Sequence, residues 1–259
     1  MIETLVIPLS TPHPLKAWRL SLLHSCPRDR YFWITRGQAR ALVGGRTIAL
    51  GQNTLLFVPA GQLCRFTLGT ASFALLVETE FAAQDSKADF VRVGDLATQR
   101  DVLGIIESIR DETDQPKLGF QRAAKAHVLL LEVWMSRALA ERPLPQKPKA
   151  AERVALSYLA TVEAEYTSAW TPQNYADHLK ITPTHLTRAT RTALGDAASK
   201  LLTERKMHSA MSLLADTRVP VSQIAQSLGF SSAGYFTRSF QAFNSQSPSD
   251  FRKQALLAR

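Results

Sequence analysis

Two stretches in the last third of this 259-residue chain carry side chains whose types and spacing suit the reading of a nucleic-acid duplex. Thr184, His185, Thr187, Arg188 and Arg191 fall on one stripe of a helix, since residues three and four apart are neighbours on a helical surface. Ser231, Ser232, Ala233, Thr237 and Arg238 make a second set further on. The chemistry open to these groups is recognition, not bond-making. An arginine fork grips guanine O6 and N7 with two hydrogen bonds, worth about 1–3 kcal/mol of discrimination, while threonine suits phosphate or the thymine methyl. Ala233 and Gly234 offer little to a base edge, so Ser232, Thr237 and Arg238 are expected to act mainly on the backbone.

Such side chains need helices held at fixed angles, and the sequence supplies them twice. Tyr175-Ala176 precedes Leu186-Thr187-Arg188 in the same way that Ile224-Ala225 precedes Phe236-Thr237-Arg238. Each copy reads as a small-residue-centred helix, a tight turn and a helix bearing a basic residue, a tandem helix-turn-helix that presents a helix to the major groove twice. Helices are predicted over Val154–Glu165, Pro172–His178, Pro183–Leu194, Ala197–Leu214, Val221–Leu228, Ser232–Phe243 and Pro248–Gln254. Thr171-Pro172 and Thr182-Pro183 pair an N-cap hydroxyl with proline at the first helical position. Gly229 supplies positive φ at the second turn. The helix from Ala197 to Leu214 would be about 27 Å long at 1.5 Å per residue. It can set the two reading helices into successive major-groove turns, about 34 Å apart. On it, Arg205 is either an ion-pair partner or a phosphate contact; Phe251 and Arg252 are expected to pack in a closing helix.

The front half has another period. Trp18–Leu22, Tyr31–Thr35, Arg40–Val43, Arg46–Leu50, Thr54–Val58, Cys64–Leu68 and Phe73–Val77 read as short strands, with Gly44-Gly45 as a two-residue hairpin loop. Strands so spaced predict a β-barrel or sandwich. Leu96–Arg110 and Phe120–Leu139 then carry apolar residues at helical spacing. Glu141–Lys149 holds Pro143, Pro145 and Pro148 without apolar periodicity and marks a linker. The expected organisation is therefore α+β: residues 1–140 a β-barrel with two following helices, 141–149 a linker, and 150–259 an all-α domain with two helix-turn-helix units.

Composition narrows the function. A hydrophobic content of 45% suits a globular chain, and a net charge of +9 favours a polyanionic partner, although the excess is shared by both halves. Cys26 and Cys64 are too few for a zinc finger or a disulfide framework. The N-terminus lacks a basic region followed by an apolar run, and no uninterrupted apolar stretch is long enough to span a bilayer. A cytoplasmic protein with no membrane contact is expected.

The segment from Trp170 to Arg252 resembles the DNA-binding domain of the AraC/XylS family of bacterial transcription regulators. The motifs that carry the resemblance are Ile181-Thr182-Pro183 with Leu186 and Arg188, Gly195, Arg205 with Ala210-Leu213-Leu214, then IAQSLGF, YFTRSF and SPSDFR. It implies base reading by Thr184, Thr187 and Arg188 and by Ala233, Gly234 and Arg238. Ala189-Thr190 and Ser245 depart from the family pattern, Ser245 standing where glycine is usual. The front half resembles the cupin-like sensor domain of the same family through the run from Ile34 to Leu68, including Pro59-Ala60-Gly61. Leu63 and Cys64 stand where enzymatic cupins place a metal-binding histidine, and no two of His13, His24 and His127 sit at ligand spacing, so no metal, cofactor or enzymatic activity is expected.

The resemblance thus implies a sequence-specific regulator on double-stranded promoter DNA; a homodimer is expected, and RNA polymerase is a candidate partner. A small-molecule effector would sit in the barrel against Trp18, Tyr31, Trp33, Arg65 or Phe66, unless those aromatics simply fill the core. Val128, Leu131, Trp134 and Met135 form either the dimer seam or the cover of the barrel base. The alternative is a ligand-independent DNA-binding regulator whose barrel serves dimerisation or partner contact.

Overall fold

A computed structural model of the chain describes residues 4–10, 14–80, 87–142 and 147–257. Pro143 and Pro145 of the expected linker, and His13, lie outside the described residues. The chain forms two compact units. A strand unit comprises Met1–Pro12, Ser25–Gly44 and Ile48–Lys147; a helical unit comprises His13–His24, Gly45–Thr47 and Pro148–Arg259.

The first elements in chain order are β1 (Thr4–Leu9), α1 (Pro14–Ser21), β2 (Asp29–Arg36), β3 (Gln38–Val43), β4 (Arg46–Gly51), β5 (Thr54–Val58), β6 (Arg65–Leu68), β7 (Phe73–Thr79), β8 (Asp89–Arg92), α2 (Leu96–Asp114) and α3 (Phe120–Ala140). The strands hydrogen-bond into a five-stranded sheet, ordered β1-β7-β2-β5-β8, and a three-stranded sheet, ordered β4-β3-β6. Among the described residues these are two sheets and not a closed barrel. Gly44 and Gly45 have φ of 59° and 76°, the left-handed pair that a two-residue hairpin requires.

β2 and β5 are buried along nearly their whole length because both sheet faces are covered. Successive side chains alternate between the faces. Tyr31 and Trp33 join Leu55, Phe57 and Val77 in a core closed by Val102, Ile106 and Ile109 of α2 and by Val128, Leu131 and Met135 of α3. On the opposite face Phe32 stacks on Phe66 of the smaller sheet, ring centroids 4.2 Å apart.

These contacts correct one expectation and settle another. Val128, Leu131 and Met135 cover the sheet and form no outward seam. What α3 leaves exposed is Leu129, Leu130 and Val133. Trp18–Ser21 is helix, not strand, and the Leu22 N–H that follows it donates to Trp18 O at 3.2 Å. Trp18 and Leu22, four residues apart, share one helical side and both pack into a core of the helical unit.

That unit contains α1 and α4 (Ala150–Glu165), α5 (Pro172–His178), α6 (Pro183–Leu194), α7 (Ala198–Asp216), α8 (Val221–Ser227), α9 (Ala233–Asn244) and α10 (Pro248–Leu257). α4 buries Tyr158 and Leu159 beside α5 and α6, and the Tyr158 hydroxyl donates to the Ala198 carbonyl at 2.6 Å. Trp18, Met207, Met211, Leu214, Ile224, Phe236, Phe240 and Phe251 form a second core around α8 and α9. α1 is fastened there by Arg19, which pairs with both carboxylate oxygens of Asp216 at 3.1 and 2.8 Å. No helix among the described residues is long and apolar enough to cross a membrane.

Candidate nucleic-acid interface

The two helix-turn-helix copies are built by matching backbone bonds. In the first, Leu179 N–H donates to Tyr175 O at 3.1 Å and Ile181 N–H to Ala176 O at 3.0 Å. In the second, Leu228 N–H donates to Ile224 O at 3.1 Å and Phe230 N–H to Ala225 O at 3.0 Å. Both turns pass through the left-handed region, at Lys180 (φ 55°) and at Gly229 (φ 69°). The reading helices start alike. His185 N–H donates to Thr182 Oγ1 at 3.2 Å, and Tyr235 N–H to Ser232 Oγ at 3.1 Å, each satisfying a donor that the helix leaves unpaired. They also end alike, in left-handed caps at Gly195 and Ser245.

α6 turns Leu186, Ala189, Thr190 and Leu194 inward. The buried Thr190 hydroxyl is satisfied by the Thr187 carbonyl at 3.2 Å, so this departure from an apolar residue leaves no orphan group. The outward side carries the residues singled out in the sequence. Thr184, Thr187, Arg188 and Arg191 line one shallow groove, together with Pro183 and Thr192, and His185 is exposed on the flank. No salt bridge engages Arg188 or Arg191 among the described residues, so both guanidinium groups are available to an anion.

α9 presents less. Phe236 and Phe240 face the core, while Ser232, Ala233 and Arg238 are exposed. The Thr237 hydroxyl turns back to the Ala233 carbonyl at 2.9 Å. Arg238 lies along its own helix, with Nη1 3.7 Å from where a Cβ on Gly234 would stand. Tyr235, to which the sequence assigns no role, is exposed on this helix and more so than Phe243.

The spacing of the two reading helices is fixed by contacts beyond the spacer helix. A Cβ on Gly229 would lie 2.4 Å from the Ser168 carbonyl oxygen and 2.5 Å from that of Thr167, so the second turn presses directly on the chain entering the first copy. Arg205 is the ion-pair partner that the sequence allowed, and not a free phosphate contact: its Nε and Nη2 reach Glu163 of α4 at 2.6 and 3.0 Å, and the Tyr166 ring lies 3.7 Å away. Arg252 donates to the Leu214 and Val219 carbonyls at 3.3 and 2.5 Å and so caps the end of α7. Burial raises the Tyr175 phenol to about 12, keeping it neutral inside the first copy.

The five proposed effector contacts do not converge. Trp18 belongs to the helical unit, Tyr31 and Trp33 fill the core between sheet and helices, and Phe66 lies on the opposite face of that sheet. Arg65, next to Phe66 on β6, is only partly buried and points to the other side of its strand. Each aromatic side chain is accounted for by packing.

Several known proteins are similar to this chain. A family profile described as a helix-turn-helix domain matches residues 175–254, from the first supporting helix into α10. An uncharacterized HTH-type transcriptional regulator, YfiF of Bacillus subtilis strain 168, is 25% identical over 249 residues, covering 90% of this chain and 79% of that protein. The arabinose operon regulatory protein of Escherichia coli K12 is 31% identical over 77 residues, covering 30% of this chain and 26% of that one. Among solved structures, ToxT from Vibrio cholerae O395 aligns over 96% of both chains with 12% identity and a TM-score of 0.45.

Proposed function

Through its C-terminal helices the chain belongs to the AraC/XylS family of DNA-binding transcription regulators, and from that premise we propose that it reads a specific promoter sequence with α6 and α9 in successive major grooves. The carrying observation is the outward side of α6, where Thr184, Thr187, Arg188 and Arg191 line one groove above a fully buried anchor. Arg188 is the principal base reader, with His185 and Arg191 on flanking phosphates. α9 contributes Ser232, Thr237 and Arg238 to the backbone, and small Ala233 permits close approach. The role needs binding alone, with no catalytic step, and is exercised in the cytoplasm on chromosomal DNA. Selection of duplexes from a random pool by the full-length chain tests this reading. An enriched motif with two half-sites one helical turn apart supports it; recovery of unrelated sequences would sink it.

For the strand unit, the filled interior favours association over ligand capture. The exposed Leu129, Leu130 and Val133 of α3 are an apolar surface suited to a second copy of the chain. Replacing Leu129 and Val133 with lysine should shift the mass in solution from dimer to monomer, and an unchanged mass would rule this face out. Effector control is tested by a thermal-shift screen against metabolites, where a ligand of the folded state raises Tm by linkage.

A further inference from the structure

A cleft of about 590 Å³ opens within the helical unit, bounded by Trp170 and Thr171 at the start of the first copy, by Thr203 and Lys206 of α7, and by Tyr235 and Ser239 of α9. No acidic residue lines it. Lys206, half-buried at its floor, meets no carboxylate among the described residues. Its ammonium donates to the Ser168 carbonyl at 3.0 Å and lies 5.4 Å from the centre of the Phe230 ring. A lysine ammonium has three donors, so two remain to be used. Burial holds this ammonium below the usual lysine range, a cost that a bound anion would offset. Among the described residues the hydroxyls of Ser231, Tyr235 and Ser239 have no hydrogen-bond partner, so free donors line the same cleft as a cation that lacks a counter-charge.

The cleft joins the beginning of the first supporting helix to the flank of the second reading helix. In helix-turn-helix docking the first helix of a pair crosses the sugar-phosphate backbone. We propose that Lys206, with Tyr235 and Ser239, holds a phosphodiester of the strand that passes between the two major-groove sites. The inference rests on the DNA-binding reading above and adds to it a contact that positions without reading bases. Phe230 lies beside the ammonium and Trp170 lines the same cleft, and partial removal of water from the ammonium strengthens its attraction for the anion.

The test uses the full-length chain, a duplex selected by that chain from a random pool, and a mixed-sequence duplex of equal length. Lys206→Gln keeps a donor for the Ser168 carbonyl and removes the charge; Lys206→Arg keeps the charge. Thermal melts establish that both variants are folded. Affinity is then followed from 50 to 200 mM salt. One phosphate contact contributes a slope of about 0.9 in log K against log salt. Over that range the native chain should therefore lose about three- to fourfold more affinity than Lys206→Gln, equally on both duplexes, and Lys206→Arg should restore the native slope. A folded Lys206→Gln with unchanged slope, beside an Arg188→Ala variant that does lose discrimination, overturns this inference and leaves the DNA-binding reading standing. A full-length chain that binds no duplex at any salt overturns both.

Discussion

Lys180 and Gly229 occupy the same step of two matching turns, both with positive φ, yet only one of them must be glycine. Lys180 is exposed, so its side chain meets solvent and the left-handed conformation costs about 1–2 kcal/mol. At Gly229 the space for a side chain is already taken by the carbonyls of Thr167 and Ser168. The same local geometry is thus tolerated in one copy and enforced in the other, because the second copy doubles as a buttress for the first. Their reading helices divide the work in the opposite sense: α6 carries unpaired arginines, whereas α9 commits its Thr237 hydroxyl to its own backbone and lays Arg238 along its own surface. This contrast is what supports the proposal that the first copy reads and the second positions.

Their cores differ as well, and this gives the largest expected effect. α4 closes the first copy, whereas α1, from the other end of the chain, closes the second through Trp18. Trp18→Ala should cost about 3–5 kcal/mol, the range for deleting a buried aromatic. Hydrogen exchange should show the loss confined to α8, α9 and α10, and equal deprotection of α5 and α6 would erase the distinction. The same contact bears on any fragment that starts at Ala150, which keeps the first core and exposes the site of Trp18 in the second.

Next comes the turn itself. Gly229→Ala combines a left-handed alanine with overpacking against backbone, on the order of 3 kcal/mol. Lys180→Gly should lie within about 1 kcal/mol of the native chain, since relief of strain is set against added freedom in the unfolded state. Equal denaturation midpoints for the two variants would show that the Gly229 contact does not matter. On DNA, Arg188→Ala should lose about 1–3 kcal/mol of discrimination at one base pair, while Arg238→Ala weakens all sequences alike and lowers the salt slope. An exchange of those two phenotypes would reverse this division of labour. The smallest effect is expected at the second cap, where Ser245→Gly should stabilise by no more than about 1 kcal/mol, measured by thermal melting.

Much of the helical unit is written in local signals. α5 and α6 begin and end at the predicted residues because Thr-Pro starts and a glycine stop act within one turn of chain. The strand unit was less legible at its margins. β1 contains Pro8, which lacks a donor and argues against a strand, but β1 is an edge strand where that donor is not needed. β8 is four residues long and also an edge. In Trp18–Leu22 the alternation of large and polar residues suggested strand, and burial of Trp18 and Leu22 on one helical side prevailed. For α3, periodicity identified the apolar stripe but not its cover.

The sequence alone determined the tandem repeat, the limits of α5 and α6 and the outward placement of Thr184, Thr187 and Arg188, since helical spacing and caps act between residues a few positions apart. Only the tertiary structure decided that Trp18 completes the core of the second copy, that Tyr31 and Trp33 are spent on packing, and that Gly229 and Lys206 both meet Ser168. Those contacts join residues far apart in the chain. Close packing of apolar surface selects them, and it leaves no periodic mark in the residues it brings together.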